Sequence, residues 1–229
     1  MRRRPTRNMA TGHLAAERRA ILDKTLGHVP FDGWSERSLR QGAADAGFDD
    51  AMWRRAFPGG PAAAIEFWSA ETDRAMVAAL ADQDITALKI RERIAAAVRW
   101  RLEALAPHRE AARRALSHLS QPQYAGLGLR CLYRTVDEMW HAAGDTATDF
   151  NFYSKRGLLA GVFTSTVLFW LDDASEDNEA TWSFLDRRIA DAMRLPKVSE
   201  RLRKIPAGIP RPRRVVRRVR EHLREGERS

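Results

Sequence analysis

The sequence has little of what defines several common protein classes. Cys131 is the only cysteine among 229 residues, which excludes a disulfide scaffold and any zinc site built on two thiolates. No apolar run reaches the ~18–20 residues that span a bilayer, and the first ten residues lack the apolar segment of a secretory signal. Since 44% of the residues are hydrophobic, the chain can still bury a real core, and a disordered chain is excluded.

Familiar catalytic motifs are missing as well. The sequence has no His-Glu-x-x-His, no paired cysteines, no glycine-rich nucleotide loop and no Gly-x-Ser-x-Gly turn. Cys131 falls in the middle of a predicted helix, where a structural thiol is the usual role. Four acidic residues stand at predicted helix ends, where capping explains them without a metal: Asp145, Asp149, Asp172 and Asp173. We therefore expect no enzyme, no metal and no cofactor.

The net charge of +9 is unevenly distributed along the chain. Residues 1–20 carry +5 and residues 197–229 carry +8, which leaves −4 for residues 21–196. The body is thus mildly acidic, and the excess positive charge lies in two tails. Such tails fit an anionic surface, which could be a membrane leaflet, nucleic acid or an acidic partner.

Hydrophobic periodicity predicts an all-α protein, because no segment alternates with period two. The predicted helices cover 13–27, 36–46, 49–56, 61–80, 86–105, 109–119, 123–142, 151–171 and 176–193. Gly27, with Val29-Pro30 after it, is predicted to end the first helix, and Ser35 to cap the second. One face of helix 86–105 is marked by Ile90, Ile94, Ala97, Val98, Arg101 and Leu105.

Two helices differ from the others in pattern. Helix 151–171 is apolar nearly all round, so we expect it to be buried or packed against a partner. A last helix, about 212–225, has an apolar stripe among arginines, formed by Val215, Val216, Val219 and Leu223 with Arg217 and Arg218 beside it. This pattern is typical of a cationic helix that lies in a membrane interface, and a solvated basic tail is an equal alternative.

The first third of the chain resembles a TetR-type helix-turn-helix, with a small-residue turn at 43–48. Reading DNA requires basic or hydrogen-bonding side chains at the start of the third helix. Asp49 and Asp50 stand there instead, and carboxylates repel the phosphate backbone. We interpret the region as a helix-turn-helix remnant, with a TetR-type ligand-responsive transcriptional regulator as the alternative function.

Residues 140–156 resemble the signature of the Coq-nine family of ubiquinone-biosynthesis accessory proteins. The matching positions are Ala143, Gly144, Asp145, Thr148, Asp149, Asn151, Tyr153, Lys155 and Arg156. Further ordered matches lie at 29–34, 57–61, 158–162 and 181–189, and the resemblance runs from about Ile21 to Arg194. Phe152 stands where the family usually has tryptophan, which keeps the aromatic surface and loses the indole donor.

The resemblance implies an all-α, TetR-like helical bundle with a C-terminal amphipathic helix. We divide it into a basic extension (1–12), a helix-turn-helix-like region (13–60), a lipid-binding helical domain (61–195) and a basic linker with the amphipathic helix (196–229). The implied function is non-enzymatic: the protein binds isoprenoid quinone intermediates or phospholipid and presents them to a membrane-bound di-iron demethoxyubiquinone hydroxylase. We expect a homodimer that binds no nucleic acid, in the cytoplasm and peripheral on the inner membrane of a bacterium, or on the matrix side in a mitochondrion.

The resemblance also nominates site residues. Arg156 would hold a lipid phosphate at the pocket mouth, and the lipid-binding set further comprises Phe152, Tyr153, Leu159, Phe163 and Trp170. The surface that meets the hydroxylase would include Met139, Trp140, Asp149 and Phe152. Membrane contact would come from the stripe of the last helix, Val215, Val216, Val219 and Leu223, with Arg217 and Arg218.

Overall fold

Nine α-helices account for most of the chain that the structure describes. The computed structural model describes residues 7–83, 85–144 and 150–203, with side chains described for 14–83, 85, 87–144 and 155–194. The helices are α1 (Arg7–Asp32), α2 (Glu36–Asp45), α3 (Asp50–Ala56), α4 (Gly60–Asp82), α5 (Ile90–Leu105), α6 (Arg109–Leu119), α7 (Ala125–Ala142), α8 (Phe150–Asp172) and α9 (Glu179–Arg203). These ranges contain no β-strand, and the predicted all-α fold is confirmed.

The chain divides into two compact units, residues 1–189 and residues 190–229. The first unit holds α1 to α8 and the start of α9, and the second holds the end of α9. The domain boundaries expected after residues 12, 60 and 195 stay predictions. Within the described residues, no helix combines the length and apolar character needed to cross a bilayer.

The helix-turn-helix-like region shares its core with the rest of the first unit. Buried side chains of α1, α2 and α3 pack with the start of α4 and with α6, among them Ile21, Leu39, Trp53, Phe57, Phe67 and Ala111. The indole Nε1 of Trp34 donates to the carbonyl of Ala111 at 3.0 Å. The guanidinium of Arg114 donates to the carbonyl of Pro30 at 2.9 Å. Helix α6 is therefore bonded directly to the segment that joins α1 to α2.

Helices α2, α3 and α6 begin where the sequence predicted. Ser35 caps α2 in a reciprocal capping box with Ser38, and the Asp49 carboxylate accepts from the backbone N–H of Met52 at 2.9 Å to cap α3. Helix α6 has the predicted bounds, and Pro61 lies in the first turn of α4.

The end predicted for the first helix is wrong. Helix α1 continues through Gly27 to Asp32, and Gly33 with φ +67° ends it by donating to the carbonyl of Val29 at 2.9 Å. Pro30 lies in the last turn, where its missing N–H removes one bond at the helix end. Val29 is fully buried with the preceding apolar turns, and this burial favours the longer helix.

Two further helices have bounds that differ from prediction by three residues or more. Helix α5 begins at Ile90 rather than 86, because the Glu92 carboxylate accepts from the backbone N–H of Lys89 and caps it there. Helix α9 begins at Glu179 after a short 3-10 turn, in which Asp177 and Asn178 have positive φ, and it extends to Arg203 instead of ending at 193.

The part of α8 whose side chains the structure describes, residues 155–172, is buried along one face. Leu159, Val162, Phe163, Val167 and Trp170 are buried, whereas Gly157, Gly161, Thr164 and Leu168 form an exposed strip along the opposite face. Within the chain itself, the apolar composition of this helix is therefore matched by burial of one face, and its packing against a partner stays a prediction.

Helices α1 and α2 meet at Gly42 with no room for a side chain. A Cβ atom built on Gly42 would lie 2.1 Å from Thr25 Oγ1 and 2.7 Å from the Thr25 backbone nitrogen. The Thr25 hydroxyl is held in place because it donates to the carbonyl of Ile21 at 2.7 Å. Gly27 lies on the same helix as Thr25, and nothing lies within 4 Å of its Cβ position.

We predict that Gly42→Ala lowers the free energy of unfolding by about 1–3 kcal/mol, because the methyl group forces α1 and α2 apart. The matched control, Gly27→Ala, should raise it by about 0.5–1 kcal/mol, since it adds helix propensity without a contact. Urea unfolding of both variants measures this. A Gly42→Ala protein as stable as the original chain would contradict the close approach.

Candidate functional site

A cavity of about 480 Å³ lies inside the first unit, between α4, α5, α6, α7 and α8. Its volume is in the range of ~300–1,000 Å³ that is usual for small-molecule sites. The residues that line it are Ile65, Trp68, Ser69, Arg101, Leu105, Ala112, Ala115, Leu116, Leu119, Ser120, Ala125, Gly128, Leu129, Cys131, Leu132, Thr135, Phe163 and Val167.

Most of the cavity wall is apolar, and its mouth lies between α6 and α7. Leu116 and Leu129 line the cavity and are 38% and 67% exposed, so they form its rim. Leu129 and Leu132 also line a second groove, on the outer side of α7. An apolar wall with leucines at its opening suits a ligand with an apolar body that enters from the surface.

One part of the wall is polar and charged. Asp73 of α4 is buried, and its carboxylate lies 2.6 Å from Nη1 of Arg101 on α5. On α7, Nε of Arg134 donates to the same carboxylate at 3.1 Å and the Thr135 hydroxyl donates at 2.9 Å. Nη2 of Arg101 donates to the Ser69 hydroxyl at 3.1 Å. This cluster ties three helices together beside the cavity.

The Arg101 guanidinium is a cation with incomplete partners. The side chain is 5% exposed, and burial lowers its pKa while the neighbouring Asp73 carboxylate raises it. Arginine stays protonated even so, because its ordinary pKa is far above neutral. Its Nε atom is buried and has no acceptor among the described residues. A buried donor left unbonded costs free energy, so this atom is a place for an acceptor.

Cys131 lines the cavity, and its side chain is a free thiol. Burial raises the pKa of Cys131 above its ordinary value, although Arg134 acts in the opposite direction. A thiol held protonated is a poor nucleophile, which fits the predicted structural role. No group of three His, Cys, Asp or Glu side chains in the described ranges is placed to hold a metal ion.

The predicted lipid-binding residues are only partly brought to this cavity. Phe163 lines it, whereas Leu159 and Trp170 are buried on α8 without lining it. Arg156 is buried and its Nε lies 2.6 Å from the carboxylate of Asp137, which lines the outer groove. Phe152 and Tyr153 lie on α8, and their side chains are outside the described residues.

Of the residues predicted to contact the partner or the membrane, the structure describes the side chains of only Met139 and Trp140. Met139 is fully buried, which does not fit its expected place in an exposed patch. Trp140 is half-buried, with the Lys155 ammonium 5.6 Å from its ring centre. Asp149 lies outside the described residues, as does the whole predicted membrane stripe of Val215, Val216, Val219, Leu223, Arg217 and Arg218.

The start of α3 is occupied by internal ion pairs. Asp50 lies 2.8 Å from Arg40 Nε and 2.5 Å from Arg54 Nη1. Hydrogen bonds from Arg54 and Trp53 lower the pKa of Asp50 to about 2. The carboxylate is therefore ionised at neutral pH, and it holds two of the arginines that a DNA-reading helix would direct to phosphate.

The polar cluster was not singled out from the sequence, although one signal of it was visible. Arg101 falls on the apolar face of helix 86–105, where a charge is costly unless it is paired. Its partner Asp73 lies 28 residues earlier on another helix, so no local pattern connects the two.

Sequence comparison relates the chain to one family. Residues 125–196 match the family model COQ9. The rat protein "Ubiquinone biosynthesis protein COQ9, mitochondrial" is 35% identical over 189 residues, covering 80% of this chain and 61% of the rat protein. The human protein of the same name is 33% identical, and the match covers 80% of this chain and 59% of the human protein. The chain thus spans about three fifths of the length of these relatives.

A solved structure supports the fold. The TetR transcriptional regulator from Nitrosomonas europaea matches with a TM-score of 0.64 and 22% identity, covering 77% of this chain and 97% of that one. At this identity the match shows fold alone, and it confirms the predicted TetR-like helical bundle.

We predict that Asp73→Ala lowers the free energy of unfolding by about 3–5 kcal/mol, because it leaves the buried Arg101 without its counter-charge. The double variant Asp73→Ala/Arg101→Met should recover most of that loss, since it removes both buried charges. Thermal and urea unfolding of the two proteins measure the difference. Equal destabilisation in both would mean that the ion pair is not what stabilises this wall.

Proposed function

Because the chain is a homologue of the COQ9 proteins over four fifths of its length, we propose that it is a non-enzymatic lipid-binding protein of ubiquinone biosynthesis. The observation that carries the proposal is the apolar cavity of about 480 Å³ with Leu116 and Leu129 at its rim. Its ligand is an isoprenoid quinone intermediate or a phospholipid.

The energetics of the cavity favour such a ligand. Each CH₂ group that moves from water into an apolar site contributes about 0.8 kcal/mol. The cavity volume suits a molecule of the size of a drug. It therefore encloses only the part of a long isoprenoid chain next to the head group, and the rest of the chain extends out of the mouth. The buried, protonated Cys131 thiol offers no nucleophile there, which supports binding rather than catalysis.

The bound lipid is presented to a membrane-bound di-iron demethoxyubiquinone hydroxylase. The partner surface includes Trp140, near the end of α7, and Phe152, near the start of α8. The exposed strip of Gly157, Gly161, Thr164 and Leu168 on α8 supports a homodimer, because small residues on a helix face let a second helix approach closely. The relatives are named as mitochondrial, which fits the matrix side of the inner membrane or the equivalent cytoplasmic face in a bacterium.

Membrane contact is assigned to the C-terminal stripe, Val215, Val216, Val219 and Leu223, with Arg217 and Arg218. Attraction to anionic lipid contributes roughly 1 kcal/mol for each Lys or Arg near the surface. The valines and the leucine then insert shallowly. A transcriptional regulator is not favoured, because the Asp50 carboxylate stands at the start of α3 and is paired with Arg40 and Arg54.

We predict that the purified protein carries a near-stoichiometric isoprenoid quinone or phospholipid, detected by native mass spectrometry and organic extraction. Ala112→Phe, which places a ring in the cavity from α6, should reduce the bound lipid at least about tenfold. Ser117→Phe is the matched control, because Ser117 is exposed on the same helix and does not line the cavity. Protein free of lipid, or Ala112→Phe with a full complement, would reject the cavity as the lipid site.

We predict that the double variant Val215→Asp/Val219→Asp binds vesicles of anionic phospholipid at least about tenfold more weakly than the unchanged chain, because a charge cannot enter the interface with the stripe. The double variant Arg217→Ala/Arg218→Ala should bind more weakly mainly at low salt, because it loses electrostatic attraction that high salt screens in the unchanged chain. Sedimentation with vesicles at low and high salt measures both. Undiminished binding of the Asp variant would show that the stripe does not insert.

A further inference from the structure

We infer that Arg101 selects the ligand by its head group: the Arg101 guanidinium binds an acceptor oxygen (a carbonyl, phenolate or carboxylate) on an amphipathic molecule whose apolar body fills the cavity. The inference rests on the proposed function, since it assumes that the cavity takes a lipid-like molecule. It adds the chemical class of the head group and the residue that recognises it.

The geometry of Arg101 is the first argument. The residue lines the cavity while being almost completely buried, and its Nε donor has no acceptor among the described residues. Its other contacts, to Asp73 and Ser69, hold the guanidinium in one place. Arg101 is also the one charged residue among the described residues that line the cavity. An acceptor oxygen on a ligand beside this guanidinium can supply a hydrogen bond that the described residues leave unmade.

The charge of the cluster is the second argument. Arg101 and Arg134 both face the one carboxylate of Asp73, and the remaining partners, Ser69 and Thr135, are neutral. Of these charged groups only Arg101 lines the cavity, so the wall presents a cation to a low-dielectric space. This favours an anionic or strongly dipolar oxygen and opposes an ammonium head group.

The positions of the apolar side chains determine which end of the ligand lies deep in the cavity and which lies at its mouth. Phe163 lies beside the guanidinium, with the Arg101 Cζ atom 5.8 Å from its ring centre, and can contact a flat head group. The exposed rim of Leu116 and Leu129 lies on α6 and α7 and suits the apolar chain. The head group thus binds inside the cavity and the chain points to the mouth.

The test uses four probes with a straight chain of nine or ten carbons and different heads: decanoate, 2-decyl-1,4-benzoquinone, decylbenzene and decylamine. Calorimetric titration below the micelle concentrations gives each dissociation constant. We expect decanoate and decylbenzoquinone to bind the full chain at least about tenfold more tightly than decylbenzene, and decylamine to bind most weakly. Such a factor is what one hydrogen bond to a charged group provides.

Arg101→Met should remove this preference and leave decylbenzene binding within about twofold. Arg134→Met is the matched control, because it also removes a cation from Asp73 but does not line the cavity, and it should keep the preference. Circular dichroism checks the fold. If Arg101→Met does not fold, the double variant Arg101→Met/Asp73→Asn, without the buried charge pair, replaces it.

The outcomes separate the two proposals. Equal binding of all heads by the unchanged chain, or a preference that survives Arg101→Met, overturns the role of Arg101 and leaves the lipid cavity in place. Failure of every probe to bind the unchanged chain overturns the cavity as a lipid site and the head-group inference with it.

Discussion

The carboxylate of Asp73 is the contact on which the architecture of the cavity depends. It lies on α4 and is bonded to Arg101 on α5 and to Arg134 and Thr135 on α7. Moving a carboxylate out of water costs several kcal/mol, and only donors in good geometry offset that cost. The three helices must keep the spacing that this geometry requires. The cluster therefore fixes the distances between α4, α5 and α7 where they border the cavity.

The sequence predicts those features of the fold that depend on residues close together in the chain, and it fails for features that depend on contacts between helices. The capping residues Ser35 and Asp49 act within three positions of themselves, and the helices that they start were predicted correctly. Gly27 and Pro30 looked like local stop signals, but burial of Val29 against other helices outweighs them. Periodicity also identified α8 as apolar, and it could not tell which face the rest of the bundle would cover.

The cavity is harder to predict because no short segment contains it. Its wall is assembled from five helices between residues 65 and 167. The family resemblance pointed to residues near 140–156. Of the predicted lipid-binding residues whose side chains the structure describes, only Phe163 lines the cavity. Arg156, nominated to hold a lipid phosphate, pairs with Asp137. Arg101 carried the useful signal, a charge within an apolar stripe, but its meaning required the position of Asp73.

In the proposed function, the chain and the head group of the ligand contribute differently to binding. Each enclosed CH₂ adds about 0.8 kcal/mol whatever the head group is, so the chain supplies most of the affinity and little discrimination. One charged hydrogen bond at Arg101 adds less in total, but only a head with an acceptor oxygen can form it. A head held inside the cavity would be shielded from water and also from a partner enzyme, so the proposed presentation requires the ligand to leave through the mouth. The part of a long chain that stays outside needs an apolar surrounding, and a bilayer provides it. In the proposed function, head-group selection and membrane contact are therefore two requirements of the same ligand, and we assign the first to the cavity and the second to the basic tail.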